Sequence, residues 1–113
     1  MTRHDDLVRL KHMLEHASEA VQFTEGRSRD DLKRDRQLEL VLTRLVEVVG
    51  EAAARVSHKL QQRHPQIPWP EIVALRNRLI HGYDAVDLDI LWDIVTMDLP
   101  ALIEALRGIT EEA

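Results

Sequence analysis

Cysteine is absent from this chain, and glycine, proline and aromatic residues are few. Without cysteine, neither a disulfide framework nor a thiolate metal site can form. Four glycines, four prolines and 4% aromatic residues provide little of the turn and strand chemistry of a β-rich domain. No stretch approaches the roughly 18 uncharged residues of a membrane span, and the first twenty residues lack the apolar core of a signal peptide. These absences predict a soluble, cytoplasmic and mainly helical protein.

The negative charge of the chain is concentrated in its last 30 residues. The 113 residues fit one domain, residues 1–113, with a net charge of −5. Residues 27–83 carry eleven Lys/Arg and seven Asp/Glu, a net +4, whereas residues 84–113 carry one and eight, a net −7. An anionic substrate can therefore bind the middle of the chain. We expect the acidic last segment to lie away from the path of such a substrate or to face a basic partner.

Hydrophobic periodicity predicts helices in the first half of the chain. Apolar residues recur at steps of three and four over residues 7–21, which predicts a helix of about twenty residues. Ser28 followed by Asp31 fits a capping box, so a separate helical turn is expected around residues 29–35. A second periodicity predicts one long helix from Leu38 to Leu60.

Proline and glycine divide the second half. Three prolines make residues 64–70 a connector, and Pro70 suits the first turn of a third, short helix that we expect to end at His81. Gly82 then supplies a C-terminal stop. A fourth helix is predicted to begin near Asp87, with a kink or break at Pro100. The predicted fold class is all-α, a compact antiparallel bundle of four to five helices.

The chemically richest stretch is an Arg-x4-His-x-Tyr motif formed by Arg76, His81 and Tyr83, with Asn77 and Arg78 between them. The negative end of a helix favours the imidazolium form of His81, which can donate a proton to a leaving oxygen. Arg76 can bind a phosphate and stabilise the charge that develops on it. These are two of the roles needed to cleave RNA through its own 2′-hydroxyl, and the chemistry requires no metal ion.

One histidine supplies only half of an acid–base pair. The base is therefore either another group, or a second copy of His81 in a homodimer whose third helices lie near the two-fold axis. A structural interpretation is also open. His81 could be a cap or surface residue, Asn77 and Arg78 a solvated helix face, and Tyr83 a packing residue after the turn.

Other polar clusters favour structural roles. A solvated helix face is favoured over an RNA track for the cations Arg27, Arg29, Lys33, Arg34 and Arg36. Favourable interaction with a helix dipole is enough to explain Arg55, His58, Lys59, Arg63 and His64. His12 and His16 could bind a metal, but no third ligand stands at a defined spacing. Glu51 is a candidate to orient Arg76, and Trp69 and Trp92 are expected in the core or an interface.

Five stretches, in their order and spacing, resemble the HepT family of the HEPN superfamily. They are Val49-Gly50-Glu51-Ala52, Ile67-Pro68-Trp69, Leu75-Arg76-Asn77, His81-Gly82-Tyr83 and Val86-Asp87. The resemblance covers nearly the whole chain. It implies a metal-independent ribonuclease that acts as the toxin of a toxin–antitoxin pair, with active sites formed across a homodimer.

The resemblance also assigns roles to residues. Arg76 and His81 match the catalytic Arg and His, and Asn77 matches the polar residue after that Arg; we add Arg78 as a supporting residue. Tyr83 matches the tyrosine that an MntA-type minimal nucleotidyltransferase antitoxin modifies with AMP. The predicted partners are thus RNA, a second copy and that antitoxin, with no cofactor, metal, membrane or DNA. The alternative is a catalytically silent helical protein that binds the nucleotidyltransferase or RNA.

Overall fold

A computed structural model describes residues 3–81 and 85–112, with side chains for residues 4–80 and 85–111. The first half contains four helices, which are α1 Arg3–Thr24, α2 Arg29–Arg34, α3 Arg36–Ala54 and α4 His58–Arg63. Then follow α5 Trp69–Val73, α6 Leu75–Leu79, β1 Ile80–His81, β2 Ala85–Val86, α7 Leu88–Asp93, a π-helical turn Ile94–Asp98 and α8 Leu99–Glu112. The all-α class predicted from the sequence is confirmed. None of the described helices is long and apolar enough to cross a membrane.

The first helix and the turn after it form as predicted. α1 spans 22 residues and ends before Gly26, whose φ of 72° is a left-handed conformation that suits glycine. Ser28 then caps α2. Its side chain accepts from the Asp31 N–H while the Asp31 carboxylate accepts from the Ser28 N–H, which confirms the capping box.

The second long helix is shorter than the periodicity predicts. α3 ends at Ala54 instead of continuing to Leu60, and a new helix, α4, begins at His58. Ser57 causes the break, because its hydroxyl accepts from the Leu60 N–H and thereby caps α4. Buried Asp6 of α1 accepts from both the N–H and the hydroxyl of Ser57 at 2.9 and 2.6 Å. This link ties the corner between α3 and α4 to the start of α1.

The third helix is divided and ends earlier than expected. It forms α5 and α6, separated at Ala74, and the helix ends at Leu79 rather than His81. Ile80 is extended, and β1 pairs antiparallel with β2 so that His81 lies opposite Ala85. The backbone of His81 is therefore part of a hairpin, not of the last helical turn. Gly82, the predicted helix stop, lies outside the described residues.

The fourth helix begins where the sequence indicates and changes its geometry just before Pro100. The Asp87 carboxylate accepts from the Ile90 N–H and caps α7. The helix then widens into the π-helical turn, in which the Leu99 N–H donates to the Ile94 carbonyl. The helical elements continue without a gap into α8, which contains Pro100, so in place of the predicted break the structure has a change of helix type before the proline.

The buried core surrounds α1, which packs against both α3 and α8. Its largest fully buried side chains are Leu10, Met13, Leu32, Leu42, Val46, Ile67, Leu75, Leu79, Leu91, Ile94, Leu99 and Leu106. Trp69 is also buried and donates to the His64 carbonyl at 3.0 Å. Trp92 is partly buried against the same core. Both tryptophans thus have the structural placement expected of them.

Candidate active site

Arg76 is held on the surface by an acidic residue of the neighbouring long helix. It lies on α6, and its Nε donates to Glu47 Oε2 of α3 at 3.2 Å. The Arg76 side chain is 62% exposed, whereas that of Glu47 is only 23% exposed. The contact with Glu47 fixes the inner edge of the guanidinium at Nε. Its terminal nitrogens can then serve as donors to an incoming anion.

A close approach of two backbones places Arg76 beside α3. Gly50 is buried in α3, and a Cβ there would lie 3.1 Å from the carbonyl oxygen of Ile72 in α5. Only glycine leaves room for this approach without a shift of backbone. Because α6 follows α5 directly, the approach brings Arg76 within reach of Glu47. The close packing at Gly50 therefore helps to position Arg76 in the site.

The other polar residues of the motif point elsewhere. Asn77 is exposed. Arg78 donates to Asp98 Oδ2 of the π-helical turn at 3.0 Å. Two helical residues are rotated by about 200°, so Arg78 and Arg76 lie on opposite sides of α6. Arg78 also borders a groove of about 350 Å³ lined by Ile67, Ile72, Met97 and Leu102 among others. Arg78 is thus in a position different from that of Arg76.

The last two motif residues are only partly described. The backbone of His81 lies in β1, one residue after extended Ile80, so it follows Arg76 across a helix end and not along a helix face. The His81 side chain and all of Tyr83 lie outside the described part of the structure. α6 ends at Leu79, two residues before His81. His81 is therefore not at the helix terminus that was expected to favour its imidazolium form.

Glu47 is the residue that the sequence interpretation missed. Glu51 was the candidate to orient Arg76, but it lies 3.5 Å from Arg44 instead. Glu47 and Glu51 are one turn apart on α3, so both were open to the same interpretation. The choice between them depends on the rotation of α3 against α6, which helical periodicity alone does not give.

Four of the five cations in the predicted basic cluster around α2 form ion pairs within the chain, and Arg34 is the exception among the described side chains. Arg29 contacts Asp93 at 2.6 Å and Asp89 at 3.0 Å, and Lys33 contacts Asp89 at 3.4 Å. The hydrogen bonds that Arg29 donates to Asp93 and then to Asp89 raise the pKa of Arg29, and the bond to Asp89 lowers the pKa of Asp89. Arg27 pairs with Asp35, and Arg36 with Glu39. This ion-paired surface agrees with the structural interpretation of the cluster.

The histidine pair on α1 does not complete a metal site. The rings of His12 and His16 lie 6.3 Å apart, and His16 Nδ1 is 3.1 Å from Glu19. No group of three His, Cys, Asp or Glu residues that could hold a metal ion is found within residues 3–81 and 85–112.

Comparison with known proteins identifies the family. The family model described as "Ribonuclease HepT-like" matches residues 13–109. "Probable ribonuclease HepT" of Thermococcus cleftensis is 34% identical over 96 residues, which cover 81% of this chain and 87% of that protein. "Putative RNase MJ1380" of Methanocaldococcus jannaschii is 31% identical over 102 residues, 90% and 94% of the two chains. No solved structure matches. These matches confirm the ribonuclease class predicted from the sequence, and the chain belongs to the HepT-like ribonuclease family.

Proposed function

We propose that this protein is a metal-independent endoribonuclease toxin in which Arg76 and His81 act on one phosphodiester of RNA. The observation that carries the proposal is the exposed guanidinium of Arg76, tethered at Nε by Glu47 and five residues before His81. A guanidinium held at one edge can present paired donors to a phosphate with little loss of side-chain entropy. Membership of a ribonuclease family supports this assignment.

In the proposed reaction the 2′-oxygen attacks the adjacent phosphorus, and the bond from phosphorus to the 5′-oxygen breaks. A base takes the 2′-hydroxyl proton, and the imidazolium of His81 gives a proton to the leaving 5′-oxygen. Arg76 binds the non-bridging oxygens, on which charge increases in the transition state. The products are a 2′,3′-cyclic phosphate and a 5′-hydroxyl.

A homodimer would supply the missing base as a second His81. Two exposed apolar side chains on the elements around Arg76 support such a dimer, namely Leu40 of α3 and Val73 of α5, 53% and 41% exposed. Leu40 and Glu47 are rotated by only about 20° from each other around α3. Val73 precedes Arg76 by three residues. Burial of these apolar groups against a second copy would bring the two Arg76 side chains towards one phosphate.

The first prediction tests the two catalytic assignments. Arg76→Ala and His81→Ala should each reduce cleavage of total RNA by at least about a hundredfold, because each removes one proton-transfer or charge-stabilising role. Cleavage should be assayed in EDTA, with the ends of the products identified by mass spectrometry. Arg107→Ala is the matched control, since Arg107 is an exposed arginine of α8. Wild-type cleavage by His81→Ala, or RNA binding without products by the wild type, would overturn the proposal.

We further propose that an MntA-type nucleotidyltransferase silences the toxin by AMP transfer to Tyr83. The added phosphate would stand two residues from His81, where its bulk and negative charge would compete with RNA phosphate. Intact-mass measurement after incubation with the nucleotidyltransferase and ATP should show one AMP adduct and a parallel loss of cleavage. Tyr83→Phe should remain unmodified and active. If Tyr83→Phe acquires the same AMP adduct as the wild type, the assignment of Tyr83 is refuted.

A further inference from the structure

A second pair of arginines lines a surface groove away from Arg76. Arg9 of α1 and Arg55, the C-cap residue that follows α3, both border two adjoining depressions of about 280 and 530 Å³. His12, Val48, Glu51 and Ala52 complete one depression, and Asp5, Ala54, Val56, Ser57 and His58 complete the other. The groove therefore follows the contact between α1 and the end of α3.

Arg9 and Arg55 belong, with Arg34, Arg63 and Arg107, to the arginines that form no ion pair within the described side chains. Six arginines form ion pairs with carboxylates, namely Arg27, Arg29, Arg36, Arg44, Arg76 and Arg78. Within the described side chains, neither Arg9 nor Arg55 has such a pair. Arg9 Nε is moreover fully buried without a hydrogen-bond partner. A buried donor that lacks an acceptor costs free energy unless a ligand or water supplies one.

Two carboxylates in or next to the groove are directed to other partners. Glu51 contacts Arg44 at 3.5 Å. Asp6, just below the groove, is occupied by two hydrogen bonds from Ser57. Asp5 also lines the wall, so the groove is not a diffuse basic patch. An anion would bind it through the directed donors of two guanidiniums, as a phosphate does.

The groove is aligned with the candidate active site along one face of α3. Arg44, Glu51 and Arg55 lie within about 40° of one another around the helix, and Glu47, the partner of Arg76, lies beside them. The helical rise from Glu47 to Arg55 is about 12 Å. An anion in the groove is therefore distinct from the phosphate at Arg76, yet close enough to belong to the same strand.

We propose that Arg9 and Arg55 bind a phosphodiester group of the RNA strand that flanks the cleaved bond. This assignment rests on the ribonuclease function proposed above. The RNA strand would then leave the active site along the surface between α1 and α3. Its energetic contribution is electrostatic and independent of base sequence, because only phosphate oxygens are contacted.

The test measures binding separately from cleavage. Fluorescence anisotropy with a short 2′-O-methyl RNA, which cannot be cleaved through its 2′-position, gives affinity as a function of salt concentration. Arg55→Gln and Arg9→Gln should each weaken binding about tenfold, since each removes a charge-assisted hydrogen bond. Each should also reduce the slope of log affinity against log salt by about 0.7, the value for one phosphate contact on a single strand. Arg107→Gln is the matched control and should leave both quantities unchanged.

The outcomes distinguish this proposal from the catalytic one. Unreduced cleavage of cleavable RNA by His81→Ala would overturn the catalytic assignment alone, because the binding of 2′-O-methyl RNA by Arg9→Gln and Arg55→Gln is measured without cleavage. Unchanged affinity and slope in Arg55→Gln would overturn the groove proposal and leave the catalytic assignment intact. A change in oligomeric state of Arg55→Gln with unchanged RNA affinity would assign the groove to a protein interface instead and equally overturn it. Far-UV circular dichroism of both variants establishes that they fold.

Discussion

At the scale of single residues, ion-pair partners separate side chains that the motif places together. Arg76 contacts Glu47 of α3, whereas Arg78, two residues on, contacts Asp98 on the other side of α6. The sequence identifies both arginines as candidates because they share the motif. Helical spacing places them on opposite sides of α6, but it does not identify their partners, which lie 29 and 20 residues away in the chain. Only the packing of α6 between its neighbours decides this.

Glu47 should act as a positioning residue for Arg76. Glu47→Ala frees the guanidinium to rotate, so we expect kcat to fall about tenfold with little change in KM. Glu47→Gln retains an oxygen that can accept from Arg76 Nε and should restore part of the loss. The free energy of unfolding should change by less than about 1 kcal/mol, because the Arg76 end of the pair is largely exposed.

Glu51→Ala is the control for this prediction, because Glu51 contacts Arg44 and not Arg76. Steady-state cleavage of a defined RNA separates kcat from KM, and thermal unfolding reports stability. Equal kcat values for Glu47→Ala and the wild type would show that the contact with Arg76 has no role in catalysis.

At the scale of helices and strands, local signals predict element starts better than element ends. Ser28, Asp31 and Asp87 cap α2 and α7 as their sequence positions indicate. The break at Ser57 is hidden, because Val56 and Leu60 stay in the apolar pattern while Ser57 bonds to Asp6, 51 residues away. Likewise, the hairpin that takes up His81 depends on pairing with residues after it. The first difference comes from a bond over 51 residues and the second from strand pairing over four to six residues, and hydrophobic periodicity contains neither.

The capping box of α2 should be sensitive to acid. The Ser28 N–H, followed by its hydroxyl, lowers the pKa of Asp31 in the folded protein. A lowered folded pKa means that the carboxylate stabilises the protein above its unfolded pKa of about 3.9, and that this contribution is lost as pH falls through the folded pKa. Asp31→Asn should therefore have a lower Tm than the wild type at pH 6, and the gap should close below about pH 4. A gap that is constant between pH 6 and pH 2 would contradict the assignment.

At the scale of the whole molecule, the acidic last segment has a role that its net charge of −7 does not reveal. Asp89 and Asp93 neutralise the cations of α2, and Asp98 pairs with Arg78. Three carboxylates of this segment therefore have cationic partners within the chain, while the expectation that the segment lies away from an RNA path or faces a basic partner stays a prediction. Arg9 and Arg55 are among the basic side chains without such a pair in the described residues, and the groove that they border lies on the side of α3 where we propose that RNA binds.

The proposed dimer yields the prediction at this scale. Leu40→Lys places a charge at an exposed position two turns before Glu47 on α3, so it should leave the fold intact but prevent two copies from burying this surface. Sedimentation velocity should show a monomer, and RNA cleavage should fall in proportion to the loss of dimer, because each site would need both copies of His81. Met97→Lys is the matched control, since Met97 is 67% exposed and borders the groove next to Arg78 instead. A monomeric Leu40→Lys protein that cleaves RNA at the wild-type rate would show that one chain contains the whole active site, including its base.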